Sequence, residues 1–99
     1  MTEKRPVTFA ESAMSDLDDI LKYYENEQVS DTGKRLISEI IGRAARLAAF
    51  PLSGRIVPEF NISDLREIIY PPFRLVYRCD KKKVRIIRVW RSERLLKLP

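Results

Sequence analysis

Three apolar runs fill the second half of the chain: Leu65 to Tyr70, Phe73 to Cys79 and Lys83 to Trp90. Only Pro71-Pro72 and Asp80-Lys81-Lys82 separate them. A parallel crossover takes about a dozen residues or more, so runs joined this tightly must be antiparallel neighbours. The middle run alternates. Phe73, Leu75 and Tyr77 fall on one face, and Arg74, Val76 and Arg78 on the other. All three strands carry arginines where a small plain sheet would carry Thr or Ser.

The first half has a different period. From Arg5 to Phe9, apolar Val7 and Phe9 alternate with polar neighbours, a short first strand. Ser12 is placed to cap a helix whose early turns hold Asp16, Asp18 and Asp19. Met14, Leu17, Ile20, Leu21 and Tyr24 recur at helical spacing, which predicts a helix over 12–27. A second helix starts at Ser30 or Asp31. Its stripe of Leu36, Ile37, Ile40, Ile41, Ala44, Leu47 and Ala48 runs to Phe50-Pro51, where proline disfavours helix. The short joint from Glu27 to Val29 makes the pair an antiparallel hairpin. Residues 51–64 hold Pro, Gly, Ser and Asn and read as an ordered loop. The order is β-α-α-β-β-β. It predicts an α+β fold, a helical hairpin packed on one face of a mostly antiparallel four-stranded sheet, in one domain over 1–99.

Charge divides along the same boundary. Residues 51–99 hold twelve Lys/Arg against five Asp/Glu, and residues 1–50 hold seven against nine. The positive field therefore belongs to the sheet half, where it suits a polyanion or an acidic partner segment. No histidine is present, which removes the usual metal ligand and the usual acid/base group near neutrality. The single cysteine, Cys79, ends an apolar strand and reads as a small core residue rather than a nucleophile. No metal and no cofactor are expected. No run approaches the ~20 apolar residues of a membrane span, and the N-terminus lacks a signal peptide's apolar stretch, so a cytoplasmic location is expected.

With the elements in this order, the chain resembles the RelE/ParE superfamily of toxins from bacterial type II toxin–antitoxin pairs. The likeness rests on Asp16-Leu17-Asp18-Asp19-Ile20, Phe50-Pro51 followed by Gly54-Arg55, and Val57-Pro58-Glu59. It continues through Arg66-Glu67-Ile68, Phe73 to Arg78, and the closing Val89-Trp90-Arg91-Ser92-Glu93-Arg94-Leu95-Leu96. The resemblance implies toxicity in the absence of a cognate antitoxin protein, neutralisation by that partner's tail, and operator DNA binding only through the antitoxin complex.

Two targets divide the superfamily. RelE-like members cut mRNA on the ribosome, and ParE-like members poison DNA gyrase. Cleaving RNA through its own 2′-hydroxyl needs a base, positive charge on the scissile phosphate and an acid for the leaving oxygen. The resemblance puts Arg74 at the family's strand arginine, Arg94 in its closing basic motif and Arg66 near its paired lysines. No tyrosine follows Tyr77, and Ser92 stands where the motif arginine of the RelE-like pattern would be. Arg66, Glu67, Arg74 and Arg94 are the catalytic set if the chain is a ribonuclease, with Glu59 or Glu67 as base. The Gly-Arg-x-Val-Pro-Glu and Arg-Glu-Ile pieces are typical of ParE-like, plasmid-stabilisation sequences, whose closing segment often reads His-x-x-Arg; this chain departs from them with Arg91 where that histidine would be. The favoured reading is a ParE-like gyrase inhibitor that is not an enzyme. The alternative is a RelE-like ribosome-dependent endoribonuclease.

On either reading Arg55, Glu59, Arg66, Arg74, Arg78, Arg91 and Arg94 are the surface expected to meet the target. Met14, Leu17, Leu21, Ile37 and Trp90 are the apolar positions expected to meet the antitoxin. Plainer roles compete. Arg55, Glu59, Arg66 and Glu67 also fit an ion-pair network that merely holds the loop, at roughly 0–1 kcal/mol per surface pair. Lys81-Lys82-Lys83 reads as a solvated turn, and Tyr23 and Tyr24 read as packing and surface residues of the first helix.

Overall fold

The computed structural model describes residues 4–91. Strand β1 (Val7–Phe9) leads directly into helix α1 (Glu11–Asn26), followed by α2 (Ser30–Ala45) and a short 3-10 turn, Arg46–Ala48. Strands β2 (Arg55–Ile56), β3 (Leu65–Tyr70), β4 (Phe73–Cys79) and β5 (Val84–Arg91) complete the fold. The sheet order is β1-β5-β4-β3-β2. β5, β4, β3 and β2 are antiparallel neighbours, and β1 lies parallel to β5. The expected α+β class holds, but the sheet has five strands rather than four. The extra strand is β2, a two-residue pairing of Arg55 with Glu67 and Ile56 with Arg66 inside the segment expected to be loop. Two residues give too short a pattern for periodicity to register.

Both helices lie on one face of the sheet. Ala13 and Leu17 from α1 and Leu36, Ile40 and Ala44 from α2 meet Phe73, Leu75 and Tyr77 of β4 and Val84, Ile86 and Val89 of β5. Gly33 lets the helices touch, since a Cβ there would lie 2.8 Å from the Cβ of Tyr24. The hairpin turns at Gln28, which takes a left-handed φ of 62°, and Glu27 and Val29 donate back to the Tyr23 and Tyr24 carbonyls. The opposite face is also covered. Val57 packs with Leu65, Val76, Ile87 and Ala10 in a smaller cluster, so the segment after β2 folds over the sheet. Cys79 is buried, as expected of a core residue, and burial raises its thiol pKa.

The first helix begins one residue earlier than expected, and Ser12 is not its cap. Ala10 occupies that position without a side-chain bond. The Ser12 hydroxyl instead donates to the Ile87 carbonyl of β5.

Candidate functional site

The arginines of the sheet's far face converge on two carboxylates. β2 places Arg55 opposite Glu67 of β3, and β4 places Arg74 two residues along on the same face, opposite Ile69. Glu67 is fully buried, and its two oxygens are divided between the two guanidiniums. Arg55 Nε donates to Oε2 at 2.6 Å and Arg74 Nε to Oε1 at 2.7 Å. The Arg74 fork then grips Glu59, from the covering segment, in a bidentate pair of 2.8 and 2.9 Å. The side chain of Arg74 is only 7% exposed. Its pKa is raised above an already high value, first by the hydrogen bond to Glu59 and then by Glu67, against the cost of burial. Arg74 therefore stays cationic and cannot serve as a base.

Arg66 points the other way. It donates to the carbonyls of Ser63 and Gly54 at 3.0 Å and, more weakly, to that of Leu52 at 3.4 Å. Beside it, the Tyr77 hydroxyl donates to the Pro51 carbonyl at 2.8 Å and accepts from the Gly54 amide at 2.9 Å. Burial raises the Tyr77 pKa. Gly54 is required by this approach, because a Cβ would lie 2.6 Å from both the Glu67 carbonyl and the Tyr77 hydroxyl. Arg66 and Tyr77 thus anchor the segment that carries Glu59 and Arg55. The expected loop-holding network is present for Arg55, Glu59 and Glu67. Arg66 holds the same loop through its carbonyls instead.

A second cluster was not anticipated. β1 covers the edge of β5 only as far as Ile86, and α1 takes over from there. Asp16, expected only as a favourable charge near the helix start, is buried and accepts the Arg88 fork at 2.8 and 2.9 Å and the Val89 amide at 2.8 Å. The Arg88 guanidinium in turn lies 4.2 Å from the centre of the Trp90 ring. The signal was an aspartate on the apolar side of a helical stripe, one turn after Ala13 and adjacent to Leu17. Beyond this clamp a groove of about 270 Å³ opens between α1 and the end of the sheet. Ile20, Tyr23 and Tyr24 form one wall and Phe73, Trp90 and Arg91 the other. Tyr23 is exposed, Tyr24 packs on the core, and their rings meet edge to face at 5.1 Å.

The remaining expected site residues are dispersed. Arg78 is exposed and stands across the strands from Arg85, also exposed. Met14 is exposed, Leu21 and Trp90 are half-buried, and Ile37 packs at the core's margin. Leu17 lies in the core itself. Arg94 and the rest of the closing motif after Arg91 lie outside the described residues. Lys81, Lys82 and Lys83 form an exposed turn, as expected, in which Asp80 Oδ1 accepts the Lys82 and Lys83 amides. Among the described residues, no group of three Cys, Asp or Glu side chains gathers to hold a metal ion.

Chemically, Glu67 sits between two guanidiniums and Arg74 between two carboxylates. Each charge is answered inside the protein. What the geometry offers outward is the α1/β5 groove, the arginines near β2, and Arg78 and Arg85 beside the β4–β5 turn.

A family model describing the ParE toxin of the type II toxin–antitoxin system parDE matches residues 7–96. Among solved structures, the chain is similar to one from the chromosomal ParDE system of P. aeruginosa. The TM-score is 0.78 at 21% identity, over 93% of this chain and 100% of that one. It is also similar to a chain of the RelBE2 toxin–antitoxin complex from Mycobacterium tuberculosis, with a TM-score of 0.70 at 21% identity, over 94% and 98%. No curated protein sequence matches. The two structural likenesses establish the shared fold. The family match spans both helices, the whole sheet, the Arg74 cluster and the Asp16 clamp, and on it this chain belongs to the ParE toxin family of type II toxin–antitoxin systems.

Proposed function

We propose that this toxin inhibits DNA gyrase through protein–protein contact, and that a cognate antitoxin in the cytoplasm holds it inactive. The observation that carries this reading is the closure of the Glu59–Arg74–Glu67–Arg55 chain. A nuclease of this fold would present its strand arginine to a scissile phosphate. Here that arginine is buried and its fork is taken by two carboxylates. General acid–base work also needs a group whose pKa lies near the working pH. Tyr77 moves away from that range, and its hydroxyl is committed to the backbone.

The antitoxin's place is the α1/β5 groove. It combines aromatic walls with the stretch of β5 beyond the reach of β1, so an inserted segment can bury apolar side chains beside the strand. Met14 and Trp90, both accessible, are the residues of the expected antitoxin set that such a segment would contact.

The test is titration of the purified protein into gyrase supercoiling and cleavage reactions, with antitoxin added as the control. Dose-dependent loss of supercoiling or trapped cleaved DNA, reversed by antitoxin, is the expected result. Full gyrase activity at micromolar toxin, with mRNA cut in the presence of ribosomes, would overturn the reading.

A further inference from the structure

A cleft of about 330 Å³ lies at the β2 edge, bordering the Arg55–Glu67 pair and apart from the Asp16 clamp. It is formed by the C-terminal turn of α2, the 3-10 turn after it, Ser53 and Gly54, β2, and residues 67–69 of β3. Three guanidiniums line it: Arg43, Arg46 and Arg55. Arg55 is held at one end by Glu67, yet its side chain remains 59% exposed. Arg43 lies with its guanidinium carbon 4.5 Å from the centre of the Tyr70 ring, which fixes its plane. Its Nε is buried and has no hydrogen-bond partner among the described residues. Neither Arg43 nor Arg46 has an ion-pair partner among the described residues.

We infer that this cleft binds a phosphate group. The forks of Arg43 and Arg46, beside the exposed side of an Arg55 already paired to Glu67, match the oxygens of a phosphate better than any neutral ligand. A second depression of about 180 Å³ adjoins the first and shares Arg43 and Arg46 with it. Ser38, Glu39 and Gly42 complete its lining, so one carboxylate stands beside the two arginines, and Gly42 has open space where a Cβ would be. Two adjacent hollows bridged by the same two arginines suit successive phosphates along a nucleic-acid strand, although a free di- or monophosphate offers the same chemistry. The inference stands apart from the choice of gyrase as target, since it concerns an edge of the sheet that the groove does not use.

The test measures binding of a fluorescent 12-nucleotide single strand and of pyrophosphate to the full chain, in the parent and in Arg46→Ala, Arg43→Gln and Lys82→Ala. Each variant removes one charge. Lys82 is the control because it lies in the exposed β4–β5 turn. The expected result is a loss of about tenfold for Arg46→Ala and Arg43→Gln and less than about twofold for Lys82→Ala. For the oligonucleotide, each arginine lost should also reduce the slope of log K against log salt by about 0.7. Arg46 is exposed, so its variant keeps the test intact if Arg43→Gln fails to fold. Binding of both ligands, or of pyrophosphate alone, with this pattern supports a site for phosphate as such. Binding of the oligonucleotide alone supports a strand site. Equal losses in all three variants, displacement by an acidic peptide more readily than by pyrophosphate, or no binding of either ligand at millimolar concentration would overturn the inference.

Discussion

Arg74→Ala separates a structural arginine from a contacting one. The substitution removes four donor contacts, two to Glu59 and two to Glu67. Glu67 is left in a fully buried position with only Arg55 beside it. Breaking a buried ion pair by deleting one partner costs about 3–5 kcal/mol, mostly because the other charge is left uncompensated. Two features push the value to the low end. Arg55 still holds Glu67 at 2.6 Å, and the Glu59 side chain is 32% exposed and can turn to water. A loss of about 3 kcal/mol is expected. At roughly 4–8 °C per kcal/mol for a domain of this length, Tm should fall by at least about 12 °C. Thermal unfolding followed by circular dichroism reads this directly. Adding Glu67→Gln to Arg74→Ala removes the stranded charge and should restore part of the loss. A drop in Tm of less than about 4 °C would refute the reasoning. If such a stable variant had also lost toxicity, Arg74 would be a contact residue after all.

Three further outcomes follow from local geometry. Gly54→Ala places a methyl 2.6 Å from the Glu67 carbonyl and the Tyr77 hydroxyl, so β2 must shift, at about 1–3 kcal/mol in urea denaturation. Gly42→Ala meets nothing within 4 Å and should stabilise the second helix by about 0.5–1 kcal/mol in the same assay; an unchanged urea midpoint would show that this turn is frayed. The Asp80 carboxyl is held below its ordinary pKa of 3.8, chiefly by the amides of Lys82 and Lys83. Its contribution is complete above the unfolded value and is lost as pH falls through the depressed folded value, so Asp80→Asn should flatten the acid limb of urea midpoints measured from pH 5 to pH 2.5.

Strand boundaries were legible because Pro71-Pro72 and Asp80 to Lys82 leave a chain no other route between Tyr70 and Val84. The helices were legible because their apolar stripes are long enough to fix a period, and each was placed within about a residue of its observed start. Pair geometry was not legible. Nothing local distinguishes Asp16 from Asp18 and Asp19, yet Asp18 makes an exposed pair with Lys22 while Asp16 meets a strand 72 residues away. Arg66 and Arg74 look alike in a list of basic residues. The pleat sends the first toward loop carbonyls on the helix side and the second into carboxylates on the far face. The closure of β5 by a helix rather than a strand depends on β1 stopping at Phe9, a length that three residues of alternation cannot define.

Locating the usable charge therefore requires removing the arginines that the fold consumes. Of the twelve cations in residues 51–99, Arg74 is matched by Glu59 and Glu67 and Arg88 by Asp16, Arg66 is spent on carbonyls, and Arg55 is paired to Glu67 yet remains 59% exposed. The sheet's central arginines thus act to close its far face. The positive charge left exposed lies at the turn end of the β4–β5 hairpin and at the β2 edge. Arg78 and Arg85 face each other across β4 and β5, a like-charge pairing that works against the strands it joins. At the β2 edge, Arg43 and Arg46 come from the half of the chain whose net charge is negative, and they join Arg55 only where the end of α2 and the 3-10 turn line one cleft with β2. A polyanion drawn to this protein is directed to these edges rather than to the strand arginine, so edge and centre substitutions should part company. Edge changes act on binding with stability kept, while central ones act on stability first.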